Sequence, residues 1–138
     1  MIVVDANVAI KWVVEQPHFE RAREIIAQGA ELLVPAMFVA EVTTALWGYV
    51  RLRQITPAQA EAGLTSILEQ ISLIEEDADL AGEALSIGSE LNHAPYDCFY
   101  LVLAMRRTAP LVTVDARFVN KLAGTRYESH VVHLSDWT

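Results

Sequence analysis

The stretch Met1-Ile2-Val3-Val4-Asp5-Ala6-Asn7-Val8-Ala9-Ile10 decides how this 138-residue chain is read. Ile2, Val3 and Val4 form an unbroken β-branched run, the pattern of a strand buried on both faces in a parallel sheet. The run stops on a carboxylate, Asp5, and an apolar segment resumes at Val8. An acid at the carboxyl end of a buried strand stands where open α/β sheets bind their ligands. Asp is also a good N-cap for a following helix. Taken alone, this stretch favours capping, and the rest of the chain has to decide.

Outward from that stretch, strands and helices alternate. A short helix is expected over 8–14, ending before Pro17. An amphipathic helix follows over 19–28, with Phe19, Ala22, Ile25 and Ile26 on one stripe and Gly29 as its stop. Strand 32–34 leads into a longer helix over 36–53. Thr56 and Pro57 are a cap and a first-turn proline, opening a helix to residue 70. A strand is expected over 71–74. Asp77 is then expected to cap a helix with Leu80, Ala84, Ile87 and Leu91 on one face. The last elements are a helix over 94–107, a strand over 110–114 that ends on Asp115, a short helix to Leu122 and a weak strand at 131–132. This alternation implies crossover units and a mostly parallel sheet in an α/β fold. No linker, repeat or low-complexity run interrupts it, so a single domain spanning 1–138 is expected.

Bulk properties bound the function. Hydrophobic residues make up 53% of the chain, enough for a core at this length. No apolar run approaches the ~20 residues needed to span a membrane. No basic segment with a cleavage site precedes the first strand, so secretion is not expected. Cys98 is the lone cysteine and has no internal disulfide partner, which fits a cytoplasmic location. His18, His93, His130 and His133 are scattered and read as ordinary histidines. The net charge is −8, and eight of the ten basic residues are Arg. Such a balance opposes nucleic-acid binding unless bound cations neutralise an acidic cluster.

Three further acids occupy places that are costly for acids. Asp115 repeats the Asp5 pattern, following the apolar run Leu111-Val112-Thr113-Val114. Glu41 falls within the stripe Phe38, Val42, Ala45, Leu46 and Tyr49, and a Glu turned toward a core needs a partner or a metal. Asp97 lies in the first turn of a helix that is apolar nearly all round, so its start is expected deep in the fold. Four acids around one cleft would repel one another and raise one another's pKa values. A divalent cation resolves that conflict, and all-oxygen ligands select Mg²⁺ or Mn²⁺ over zinc. A metal so held polarises a phosphoryl oxygen and activates bound water. Asn7 and Thr113 stand two residues from Asp5 and Asp115, placed to hydrogen-bond a carboxylate or a metal-bound water.

These residues carry a resemblance. The order VVDANV (3–8), PAMFVAEV (35–42), APYDCFYLVLA (94–104) and LVTVDARF (111–118) is similar to the PIN-domain nucleases, and most of all to the VapC toxins of VapBC toxin–antitoxin pairs. The resemblance covers nearly the whole chain. It implies a three-layer α/β/α PIN-like fold with the acids at the carboxyl edge of a central, mostly parallel sheet. It implies a Mg²⁺- or Mn²⁺-dependent endoribonuclease that hydrolyses RNA phosphodiester bonds to 5′-phosphate and 3′-hydroxyl ends. Its metal-binding acids fall on Asp5, Glu41, Asp97 and Asp115, and its polar strand-end position on Thr113. It also implies a homodimer and a small VapB-like antitoxin that inhibits the toxin. Two departures stand out. Ala6 follows the first Asp where some members have Thr or Ser, and Arg117 stands where some carry another acid.

Arg117, Arg51 and Arg53, with Arg106 and Arg107, are candidate contacts for substrate phosphate, although surface ion pairing is the commoner role for each. The rival reading is a non-catalytic PIN-like or receiver-like module that uses the acids only to bind a metal or a partner. A receiver explains Asp5 but not Glu41 or Asp97, and it wants a Lys at a late strand end, whereas Lys121 falls inside a short helix.

Overall fold

The structure, a computed structural model, describes residues 1–138. Five strands form one sheet in the order β3-β2-β1-β4-β5, and every neighbouring pair is parallel. They are β1 (Ile2–Val4), β2 (Leu32–Pro35), β3 (Leu73–Glu75), β4 (Leu111–Thr113) and β5 (Val131–His133). β1 is central, and all three of its residues are buried. Its register sets Val3 beside both Leu33 and Leu111.

Seven α-helices connect the strands: α1 (Ala6–Ile10), α2 (Phe19–Ala27), α3 (Met37–Arg51), α4 (Pro57–Gln70), α5 (Asp77–Leu91), α6 (Pro95–Arg107) and α7 (Ala116–Leu122). Right-handed crossovers place α1 to α4 on one face of the sheet and α5 to α7 on the other, which makes the three-layer α/β/α architecture. α6 crosses β1, β2 and β4, and α5 packs against it. On the opposite face α1 packs on α3, and α3 on α4. No helix is long and apolar enough to cross a membrane.

Local sequence explains most boundaries. Thr56 and Gln59 form a reciprocal capping box at α4, with Pro57 opening the helix. α1 starts at Ala6 rather than Val8 because Asp5 is itself the cap. β3 begins two residues later than the apolar run suggests, since its position is set by pairing with Leu33, Val34 and Pro35 of β2. Asp77 does not cap α5. Glu76 occupies the cap position without a side-chain bond, and the Asp77 carboxylate instead accepts from the backbone N of Met37 at 3.1 Å.

Candidate active site

β1 and β4 are neighbours, so their carboxyl ends bring Asp5, Thr113 and Asp115 together. The Asp5 carboxylate accepts from Val8 N at 2.8 Å, which caps α1. Its other oxygen accepts from the Thr113 hydroxyl and, at 3.4 Å, from Val114 N. The Thr113 oxygen accepts in turn from Asp115 N at 3.0 Å. Asp115 caps α7 by accepting from Phe118 N at 3.1 Å. Capping and a place at the ligand-binding edge are therefore not alternatives for these two acids. One oxygen of Asp115 caps, and the second accepts no hydrogen bond from the chain.

Glu41 reaches the same edge from α3. Phe38, Val42 and Leu46 bury the helix stripe, and Glu41 stands half-buried at its rim. Its Oε1 accepts from the Tyr100 hydroxyl of α6 at 2.6 Å, which leaves Oε2 without a partner in the chain. Asp97 comes from the first turn of α6. The expectation that this helix start lies deep in the fold is wrong. α6 is buried in its middle, from Tyr100 to Ala104, while the Asp97 side chain is 42% exposed and Tyr96 is 70% exposed. Apolar residues all round a helix mark the buried stretch, not its end.

His93 holds Asp97, with Nε2 and Oδ2 2.7 Å apart. The His93 ring lies against Phe118 of α7 at 4.8 Å between centroids, so it joins the starts of α6 and α7. Its backbone N donates to Gly88 O at 3.0 Å. A Cβ on Gly88 would sit 2.8 Å from the His93 carbonyl oxygen, so only glycine lets this loop close on α5.

The electrostatics show which acids share a space. Burial pushes the Asp5 carboxyl up to about 6; the bonds from Thr113, Val8 and Val114 oppose this, and the charge of Asp97 adds to it. Burial also raises Glu41, opposed by the Tyr100 hydrogen bond and reinforced by Asp97 and Asp77. Tyr100 is raised by burial and by its bond to Glu41, so it stays a protonated donor. Asp97 thus acts on both Asp5 and Glu41 across one cleft.

No three His, Cys, Asp or Glu side chains lie close enough together to form a ready-made cation site. The donor chemistry still suits Mg²⁺ or Mn²⁺. Mg²⁺ typically takes only one or two carboxylates and keeps several waters. Unengaged oxygens on Glu41, Asp97 and Asp115 are available for that, either directly or through water.

Other candidates stand apart. Asn7 is exposed and makes no hydrogen bond to any acid, because it lies on the outer side of α1. Arg106 and Arg107 are paired with Glu83 and Glu75 and are not free for phosphate. Arg51 lies over the Trp47 ring at 5.0 Å. It stands ten residues beyond Glu41 on α3, about 15 Å along the helix axis. Arg53 follows the helix with φ 58°. Arg117, two residues past Asp115, is exposed and unpaired and is the nearest in sequence to the strand-end acids.

Asp77, His93 and Tyr100 escaped the sequence reading. Asp77 carried a partial signal, since it closes the acidic run Glu75-Glu76-Asp77 at the carboxyl end of β3. His93 carried one as well, since it stands four residues before Asp97, whereas Tyr100 carried none, because its partner Glu41 lies 59 residues away.

The backbone is similar to PAE2754 from Pyrobaculum aerophilum (24% identity, TM-score 0.71, covering 97% of this chain and 83% of that one). It is also similar to a toxin–antitoxin complex from Klebsiella pneumoniae (15%, 0.70, 97% and 98%). A third similar structure is VapBC2 from Rickettsia felis, bound to a DNA fragment from its promoter (14%, 0.65, 100% of each chain). No curated protein matches the chain. The PIN domain family model matches residues 2–122, spanning β1 through α7 and all four acids. The chain belongs to the PIN domain family.

Proposed function

We propose that residues 1–138 act as a single-domain, metal-dependent endoribonuclease, the VapC-type toxin of a toxin–antitoxin pair. The observation that carries this reading is the coupling of Asp97 to both Asp5 and Glu41 at the carboxyl edge of a parallel sheet in a PIN-family chain, with Asp115 ending the strand beside Asp5. Two of them are held at raised pKa, which a bound cation would relieve.

Asp5, Asp97 and Asp115 would hold Mg²⁺ or Mn²⁺, and Glu41 would hold it or orient the attacking water. When bound, the metal supplies Lewis-acid polarisation of the phosphoryl oxygen and a more acidic water. The chain's own work is positioning. Thr113 fixes Asp5, Tyr100 fixes Glu41, and His93 fixes Asp97, each by a single side-chain hydrogen bond. Such partners set the direction in which a carboxylate presents its remaining oxygen. Arg117 is the cation best placed to meet substrate phosphate.

The similar Klebsiella pneumoniae structure is a toxin–antitoxin complex and the Rickettsia felis one is VapBC2, which supports a VapB-like antitoxin as partner. Leu46, Trp47, Val50, Ala60 and Leu64 line an apolar groove of 240 Å³ between α3 and α4, and Trp47 is 58% exposed. This face suits a partner chain, the antitoxin or a second copy in a homodimer. The lone, unpaired Cys98 and the toxin–antitoxin reading support a cytoplasmic location.

The test is cleavage of a structured RNA pool by purified protein, with Mn²⁺, with EDTA, and with Asp97→Asn. Cuts that need metal and vanish in the variant support the nuclease. Metal-independent or absent cutting, together with no Mn²⁺-induced rise in Tm, returns the chain to a binding module.

A further inference from the structure

We infer that Tyr96 is a stacking platform for an unpaired base next to the scissile phosphate; this rests on the ribonuclease reading above. Six large apolar or aromatic side chains are exposed: Met1, Trp47, Leu52, Ile74, Leu85 and Tyr96. Tyr96 is the one that adjoins a proposed metal-binding acid, Asp97. It is the most exposed of the six, at 70%, and its hydroxyl bonds to nothing in the chain. Neither core packing nor a hydrogen bond accounts for its ring standing there.

The ring borders an open depression of 630 Å³ whose other walls are Ala40, Glu41, Thr44 and Ala45. These four share one face of α3, at spacings of one turn. Three of them are small, so the space beside the ring stays clear. The fourth is the carboxylate held by Tyr100. A flat π-surface, a clear volume and the free Thr44 hydroxyl match a nucleobase: its face stacks on the ring, and its polar edge meets the hydroxyl. Phosphate has no place here, because the depression has no basic side chain. The backbone therefore passes on the Asp115 and Arg117 side, while the base turns toward α3. A duplexed base has no free face, so the nucleotide must be unpaired.

The test combines binding and cleavage. Single-stranded RNA carrying 2-aminopurine is titrated into Asp5→Asn protein with Mn²⁺ present, so that binding is read without turnover. Quenching at one position should be lost in Asp5→Asn/Tyr96→Ala and kept in Asp5→Asn/Tyr96→Trp. In the otherwise native protein Tyr96→Ala should raise KM about tenfold or more, the scale of one lost base–aromatic stack, and leave Mn²⁺ affinity unchanged. An abasic nucleotide at the same position should cost the native protein as much and cost Tyr96→Ala nothing further. Unchanged quenching or KM in Tyr96→Ala, or abasic and Tyr96→Ala losses that simply multiply, overturns the platform. A Tyr96→Ala protein that changes oligomeric state while its quenching is unaltered also overturns it and makes the ring an interface residue. Tyr96-dependent quenching without any cleavage upholds the platform and removes the nuclease reading instead.

Discussion

Asp5 and Asp115 end neighbouring strands, and each accepts from a backbone N three residues further on, Val8 and Phe118. Glu41 and Asp97 ride on helices, and each is held by one side chain, Tyr100 or His93. The first pair is fixed by the sheet register and by the helices that begin on it. Moving either acid means moving a strand. The second pair moves with a rotamer and is wetter. The site therefore has a rigid half, held by strands and helix caps, and an adjustable half, whose acids have one side-chain anchor each. The tension between them is electrostatic, since Asp97 of the adjustable half raises the pKa of Asp5 in the rigid half.

The largest effect that would break this comparison is on cleavage. If both halves contribute to metal binding, Asp5→Asn and Asp97→Asn each lower kcat/KM about a thousandfold, the scale of several kcal/mol of metal-borne stabilisation. Loss in Asp5→Asn alone would mean that the adjustable half is dispensable. Initial rates with saturating Mn²⁺ decide it.

Stability separates the halves next. The Asp5 carboxyl titrates at about 6 in the fold against 3.8 unstrained. The folded state thus holds this proton more tightly, so stability from Asp5 is present below pH 4 and is lost as pH rises through 6. The loss amounts to up to about 3 kcal/mol at neutral pH. Asp5→Asn keeps an N-capping oxygen but turns an amide NH2 toward the Thr113 hydroxyl and Val114 N, so the Tm of metal-free protein should rise at pH 7.5 by less than that loss implies and fall below the native value toward pH 4. Asp97→Asn should leave Tm nearly unchanged, because an exposed acid with one partner contributes little. Equal shifts from the two variants in differential scanning fluorimetry would erase the distinction.

Thr113→Val tests the rigid half from within. Thr113 is 3% exposed, donates to Asp5 and accepts from Asp115 N. Replacing it strands two partners and should cost about 2 kcal/mol, read from the urea midpoint. No change would show that water replaces the hydroxyl.

Tyr100→Phe is the smallest. It frees one oxygen of a half-exposed Glu41, so stability should fall by about 1 kcal/mol or less. The sharper readout is Mn²⁺ affinity, which should weaken through a misdirected Glu41 carboxylate. A Tyr100→Phe protein with unaltered affinity would leave Glu41 outside the metal site.

Legibility in the sequence follows distance along the chain. β1 and β4 announce themselves as β-branched runs ending on Asp5 and Asp115, and the α4 cap is written in Thr56-Pro57. These signals are local, so the sequence carries them whole. His93 stands four residues before Asp97, but two of the side-chain partners are not local: Tyr100 lies 59 residues from Glu41, and Thr113 lies 108 residues from Asp5. Period and propensity do not encode such approaches. Helix periodicity placed Glu41 on the apolar stripe of α3 correctly, while uniform apolarity overstated the depth of the α6 start. Asp77 reads as a cap because it stands just before a helical apolar stripe, Leu80, Ala84, Ile87 and Leu91. Its true partner, Met37 N, becomes visible only once β2 and β3 pair.

The pairing of β1 with β4 has a consequence for synthesis. Val4 meets Val112 only after more than a hundred intervening residues exist. At typical translation rates that interval lasts roughly 5–20 s, during which Asp5 has neither Thr113 nor Asp115 beside it. On the ribonuclease reading, a nascent chain still short of β4 lacks the assembled edge of the sheet and has no complete site.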